Sequence, residues 1–218
     1  MVDRASSALF LVADILIFHC FFDHSRIAQN AMSLVERFDV AAQLPEISFN
    51  FHGRIAWRFE PFRSGAESLR RGFEAGLSHG NSDMGLHCAV QAIKNLILCG
   101  ANLRSLLKEI DYYYYLSEKY ASELIRNTFL IFRETVSLLI DNGHATSIEA
   151  EVNTENKLLR EAVLHHSAIR CFWLGQTERC QYFSEKCMNL VEQKGNSTSY
   201  VAKFYCGKME GANLATFG

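Results

Sequence analysis

The sequence predicts an all-α fold, an α-solenoid of antiparallel helix hairpins that stack on one another. Apolar residues recur at helical spacing along most of the chain, and no run alternates apolar and polar residues as a half-buried strand would. The chain has only two prolines, Pro45 and Pro61, and this scarcity favours long helices because proline ends a helix. With 49% hydrophobic and 21% charged residues, the composition is that of a globular protein.

Turn signals at Asp23-His24, Pro61, Gly100 and Gly175 divide this pattern into separate helices. The predicted helices span 8–22, 25–38, 44–59, 62–79, 82–99, 102–120, 122–140, 155–174, 176–194 and a last segment from 199. The polar stretch 141–153 predicts a surface loop.

The first helix is the most apolar, but it is too short to be a membrane span. A span needs roughly 20 apolar residues, and this run is shorter and is interrupted by Asp14 and His19. We therefore expect a buried core helix. Later helices are amphipathic: in 62–79, for example, Leu69, Phe73 and Leu77 share one face.

The helix–turn–helix units recur at roughly 33 to 42 residues, near the period of tetratricopeptide-type repeats. We expect hairpins at 8–38, 44–79, 82–120 and 155–194, with 122–140 as a single helix. A single hairpin cannot bury both of its apolar faces, whereas stacked hairpins can. The interpretation is one repeat region over 1–218, which belongs to a longer protein because the last helix is cut short without a cap.

Cysteine usage and net charge constrain the compartment and the partners. The seven cysteines form an odd count without a CxxC pair, and most of them fall in apolar helical patterns, which predicts reduced buried thiols and a cytoplasmic location. A net charge of -2 indicates neither nucleic acid nor an anionic membrane as a partner.

The stretch "SHGNSDMG" resembles a nucleophile elbow only at first sight. An elbow needs G-x-S-x-G after a strand, but Met84 stands where the second glycine belongs and the preceding segment is helical. Ser82, with Asn81 and Asp83, is instead predicted to cap the next helix.

Three glycines four residues apart form one stripe that runs along the helix 62–79 and ends at Gly80 within this stretch. Gly72, Gly76 and Gly80 predict the close approach of a neighbouring helix, with Gly80 as the C-terminal stop.

Other site patterns fail. The adjacent His165 and His166 point about 100° apart on a helix and cannot chelate one metal together. Gly207-Lys208 lacks the first glycine of a phosphate-binding loop. We therefore expect no catalytic residue, no metal and no cofactor.

The residues selected for an interaction surface are basic or aromatic and lie on repeat helices. They are Arg54, Arg58, Lys94, Tyr112, Tyr113, Tyr114 and Tyr115. Four consecutive tyrosines surround a helix, so some rings are expected to be buried and others exposed as a possible site for a partner peptide.

The order of the features resembles the helical-repeat region of large multi-sensor kinase or AAA-type ATPase signalling proteins. That region shows a Trp after a helical run, an aromatic helix ending in G-x-x-x-G-[DN], and a helix closing in one glycine. The matching residues here are Trp57, Phe73, Gly76, Gly80, Asn81 and Gly100. Asn81 departs from the more usual aspartate. The kinase, ATPase, GAF and histidine-kinase motifs have no counterpart in this chain, so no catalytic residue carries over.

The resemblance implies a non-catalytic scaffold, a right-handed solenoid of tetratricopeptide-like hairpins that contacts protein segments or neighbouring domains. One alternative is a free-standing peptide-binding adaptor. Another is a small helical hydrolase that uses Ser82 or a histidine.

Overall fold

The computed structural model describes residues 41–56, 60–141 and 156–191, and this part of the chain consists of helices and the turns between them, without a strand. A 3-10 turn at Ala41–Gln43 leads into α1 (Leu44–Ser48), which continues as a π-helix over Phe49–Ile55. The longer helices are α2 (Phe62–Ser78), α3 (Ser82–Leu98), α4 (Leu103–Tyr120), α5 (Glu123–Ile140), α6 (Lys157–Trp173) and α7 (Thr177–Val191).

The all-α prediction is therefore confirmed for the described residues, and helices α2 to α7 lie close to their predicted bounds. The segment 44–59 was expected to be a regular α-helix, but its described part changes to the wider π-helical winding after Ser48. The predicted helices 8–22, 25–38 and from 199, and most of the loop 141–153, lie outside the described residues. The stacking of hairpins into a solenoid stays a prediction.

Two compact units make up the chain. Among the described residues, the first unit holds 41–56, 60–102 and 112–125, and the second holds 103–111, 126–141 and 156–191. Each unit is described by itself below.

Gly72 and Gly76 of α2 are closely packed in the first unit, Gly72 against side chains and Gly76 against backbone. A Cβ added at Gly72 would lie 2.8 Å from the Ser48 Cβ atom and 3.1 Å from the Cys88 Sγ atom. A Cβ added at Gly76 would lie only 2.7 Å from the Gly85 Cα atom of α3. The predicted close approach is thus confirmed, because α2 and α3 meet at a distance that leaves no room for a side chain.

The turn between α2 and α3 is a Schellman motif. Gly80 has a φ of 78°, and the Asn81 amide donates to the Gly76 carbonyl oxygen at 2.8 Å. Gly80 is therefore the predicted helix stop. The predicted capping by Ser82 is wrong: Ser82 is the first helical residue, and Asn81 occupies the cap position without a side-chain hydrogen bond. The Asn81 carbonyl instead accepts from the Gly85 amide at 3.0 Å.

The same turn ends two further helices. At the end of α3, Gly100 donates to the Ile97 carbonyl at 3.2 Å, and Ala101 donates to the Leu96 carbonyl at 3.0 Å. At the end of α6, Gly175 has a φ of 68°, as a left-handed cap requires. Three described helices therefore stop by one local mechanism, in which the carbonyl groups of the last turn are satisfied by following amides.

In the second unit, α5 and α6 share an apolar cluster. Its members are Ile131, Leu138, Leu159, Ala162 and Val163. Farther along α6, the ring of His166 packs edge-to-face on Phe132 with a centroid distance of 4.7 Å.

Side-chain hydrogen bonds cap the start of α6 and connect α7 to α6. At the start of α6, the Asn156 side chain accepts from the Leu158 and Leu159 amides at 3.0 and 3.3 Å. Cys180 of α7 donates from Sγ to the Ala168 carbonyl at 3.4 Å. None of the five described cysteines forms a disulfide bond.

Candidate interaction surface

The C-terminal half of α4 carries the described surface richest in exposed aromatic rings. Successive side chains on a helix point about 100° apart, so a run of four tyrosines cannot face one way. Tyr113 is only 4% exposed, whereas Tyr112 and Tyr115 are 51% and 70% exposed, and Tyr114 is intermediate. The predicted division of the run between core and surface is confirmed.

Tyr113 anchors this part of α4 inside the first unit. Its ring meets the buried Phe73 ring of α2 edge-to-face, with centroids 4.8 Å apart. Phe73 also contacts Tyr112 edge-to-face at 6.3 Å. Such aromatic pairs contribute about 0.5–1.5 kcal/mol beyond the area that they bury. The part of α4 that carries the exposed rings is therefore anchored by a buried aromatic pair, which Tyr112 also contacts.

A second exposed group lies one turn farther along the helix. Lys119 places its Nζ atom 4.8 Å from the centroid of the Tyr120 ring, and Tyr120 is 42% exposed. A hydrogen bond to Tyr120, and next the charge interaction with it, raise the pKa of the Lys119 ammonium, to which Tyr115 also contributes. We call Tyr112, Tyr115, Lys119 and Tyr120 the tyrosine face.

The side chains of the tyrosine face are suited to binding a partner protein rather than to catalysing a reaction. Exposed tyrosine rings provide rigid apolar area with a hydroxyl at the rim, and they lose little conformational entropy when a partner covers them. Lys119 adds a positive charge beside Tyr115 and Tyr120. These are the properties of residues that carry protein–protein binding energy.

The three basic residues predicted for the interaction surface are not placed on the tyrosine face. Lys94 lies on α3 and is half-buried. Arg58 and the side chain of Arg54 lie outside the described residues, so their membership of one surface stays a prediction. Sequence reasoning missed Lys119 and Tyr120, although their position one to two turns after Tyr115 on the same helix was a usable signal.

The π-helix holds a second unusual group, the buried His52, and π-helical turns often occur at functional sites. Its Nδ1 atom lies 3.6 Å from Oε2 of Glu60. An ion pair would raise the pKa of a histidine, but burial, together with the nearby Arg71 charge, lowers the pKa of His52 to about 4. Burial also raises the pKa of Glu60. Desolvation therefore outweighs the attraction, and His52 is neutral at pH 7.

Within the described ranges, no three His, Cys, Asp or Glu side chains converge as metal ligands would. None of the helices described is both long enough and apolar enough to cross a bilayer. Comparison with known proteins found no matching family model, curated protein or solved structure.

Proposed function

We propose that the chain is a non-catalytic helical-repeat scaffold that binds a protein segment through the tyrosine face. The observation that carries the proposal is the pair of strongly exposed rings, Tyr112 and Tyr115, on a helix that the buried Phe73–Tyr113 pair anchors. A rigid aromatic surface is suited to binding, because little ordering is required when the partner docks.

The repeat architecture belongs to the same proposal. The described helices α2 to α7 have 15 to 18 residues, and three of them end in the same glycine turn. Both features support tetratricopeptide-like hairpins stacked as a right-handed solenoid. By the resemblance given above, such a scaffold would connect an ATPase or kinase module to sensor modules in a signalling protein.

Site-specific photocrosslinking tests the binding role. A benzophenone amino acid at position 115 is expected to trap a defined protein segment, identified by mass spectrometry. Position 182 is the matched control: Tyr182 is 51% exposed and has Lys186 Nζ at 4.5 Å from its ring, but it lies on α7 in the second unit. Equal adducts at both positions, or none at 115, would contradict the proposal.

Substitutions separate the tyrosine face from the basic residues predicted beside it. Replacing Tyr112 and Tyr115 by alanine is expected to reduce binding of the trapped segment by about 100-fold, since interface hot spots are worth about 2 kcal/mol or more. Charge reversal at Arg54 and Arg58 tests the remaining predicted residues. Unchanged binding after that reversal would remove both arginines from the surface.

A further inference from the structure

Helix α6 contains a run of residues that is buried on every face. From Val163 to Cys171 each residue is buried, although a surface helix of a globular protein exposes one side. The run is also polar, since it includes His165, His166, Ser167 and Arg170. A helix that buries polar groups on all sides needs partners for those groups.

Arg170 is the residue of this run whose burial costs most, because its side chain carries a permanent positive charge. Its side chain is 7% exposed, and its Nη1 atom is fully buried without a hydrogen-bond acceptor. A guanidinium does not lose its proton in proteins, so Arg170 cannot become neutral as a buried lysine or histidine does. In the described part of the chain, no carboxylate forms an ion pair with it. The Nη1 group therefore keeps a donor that an anion could satisfy.

Two neighbouring features favour an anion at this position. Ser167 lies one turn before Arg170, is 0% exposed, and its Oγ atom also has no hydrogen-bond partner. Beyond Arg170, the buried Cys171 thiol donates to Oε1 of Gln176 at 3.5 Å. Burial raises the pKa of Cys171, while the charges of Arg170 and Arg179, and then a hydrogen bond from the Arg170 side chain, lower it. Two positive charges therefore act on this end of α6.

We propose that Arg170 and Ser167 form a binding site for an oxyanion, a phosphate or carboxylate group. The planar guanidinium matches the geometry of either group, and its Nη1 supplies a charge-assisted donor. The Ser167 hydroxyl supplies one more donor from the preceding turn. Because this site lies in the second unit, it is independent of the tyrosine face, and either proposal can fail without the other.

Thermal unfolding of the full chain in different anions tests the site. Inorganic phosphate, and separately acetate, replace chloride at constant ionic strength. An anion at about a hundredfold excess over its Kd is expected to raise the unfolding midpoint by about 5 °C or more. A response to phosphate alone assigns a phosphate group, and a response to acetate as well assigns oxyanions in general. No rise with either anion overturns the proposal.

Two variants test whether Arg170 is responsible for the rise in the unfolding midpoint. Arg170→Met keeps a side chain of similar length without the charge and is expected to abolish that rise. Arg104→Met, at an exposed arginine of the same unit, is the matched control and is expected to keep it. An equal rise in the Arg170→Met protein would overturn the assignment.

Hydrogen exchange on the unaltered protein keeps the test valid if Arg170→Met does not fold. Phosphate is expected to slow amide exchange in the segment 164–180 by about tenfold relative to chloride, because a ligand stabilises the structure that binds it. Unchanged exchange in that segment would overturn the proposal.

Discussion

The hairpin α2–α3 and the hairpin α6–α7 use the same turn but different packing. Both first helices stop at a glycine with positive φ, Gly80 or Gly175, and a short link leads to the second helix. In the first hairpin the helices meet through Gly76 and Gly85, almost backbone to backbone. Helices α6 and α7 contain no glycine, and there the Cys180 thiol reaches the Ala168 carbonyl.

The two hairpins also treat buried polar groups differently. In the first hairpin, the buried Asn95 side chain accepts from Gln91 Nε2 at 3.3 Å. In the second hairpin, Arg170 Nη1 and the hydroxyls of Ser167 and Ser184 are buried without hydrogen-bond partners. A common turn therefore sets where a helix ends, while side-chain volume and polarity decide what each hairpin can bind or exclude.

The largest expected effect comes from acid, and it acts on the first unit through His52. Its pKa is lowered from 6.5 to about 4 in the folded protein, so the unfolded chain binds the proton more readily. The contribution of neutral His52 to the free energy of unfolding is therefore fully present above pH 6.5 and is lost as the pH falls toward 4. The free energy of unfolding is expected to fall by roughly 2–3 kcal/mol between pH 7 and pH 4.5.

Urea unfolding at the two pH values checks this expectation, with His52→Gln as the comparison. The variant should lose most of the pH dependence, because glutamine does not titrate. Glu60→Gln removes the neighbouring carboxylate and tests whether that group, rather than His52, carries the effect. An identical pH dependence in wild type and His52→Gln would refute the assignment.

A smaller effect is expected when the glycine contact of the first hairpin is filled. The Cβ of Gly76→Ala would meet the Gly85 Cα and the Asn81 carbonyl oxygen, at 2.7 and 2.8 Å, and neither backbone atom can move alone. We expect a loss of about 2 kcal/mol in unfolding free energy.

Gly85→Ala provides a graded control for that loss. Its nearest contact is the Phe73 carbonyl oxygen at 3.1 Å, so its cost should be smaller than that of Gly76→Ala. Denaturant unfolding measures both variants. Equal losses, or a gain from the higher helix propensity of alanine, would show that close backbone packing does not govern this hairpin.

The smallest effect should be equal in the two hairpins. Gly80→Ala and Gly175→Ala each place a Cβ where no atom lies within 4 Å, so only the positive φ opposes them. Each is expected to cost about 1 kcal/mol, the strain of a left-handed conformation for an L-residue. Hydrogen exchange followed separately in α2–α3 and α6–α7 measures the two effects. A large difference between them would mean that the turns are not equivalent.

Much of the fold could be predicted from the sequence, because the signals involved are local. Helical periodicity and scarce proline predicted α2 to α7, and single glycines predicted three of the stops. The Ser82 prediction failed because capping depends on one residue of register: once Gly80 had ended α2, Asn81 took the cap position and Ser82 entered the helix.

The candidate surface was only partly predictable. A run of four tyrosines on a helix must divide between core and surface, but periodicity alone did not identify Tyr113 as the buried ring. That choice depends on Phe73, which lies on another helix and selects the ring that packs against it. Lys119 and Tyr120 were missed although their spacing from Tyr115 on one helix was visible in the sequence; their exposure was shown only by the packed unit.

The sequence by itself determined the helical class, the helix ends and the close approach at Gly76, since each follows from the conformation or size of single residues. Only the tertiary structure decided the π-helical winding around His52, the choice of Tyr113 as anchor and the burial of Arg170. Those three depend on which distant side chains fill the space around a residue, and no local pattern specifies that. The two hairpins therefore share a glycine turn that can be predicted from sequence, and they differ in the side chains buried between their helices, which only the packing defines.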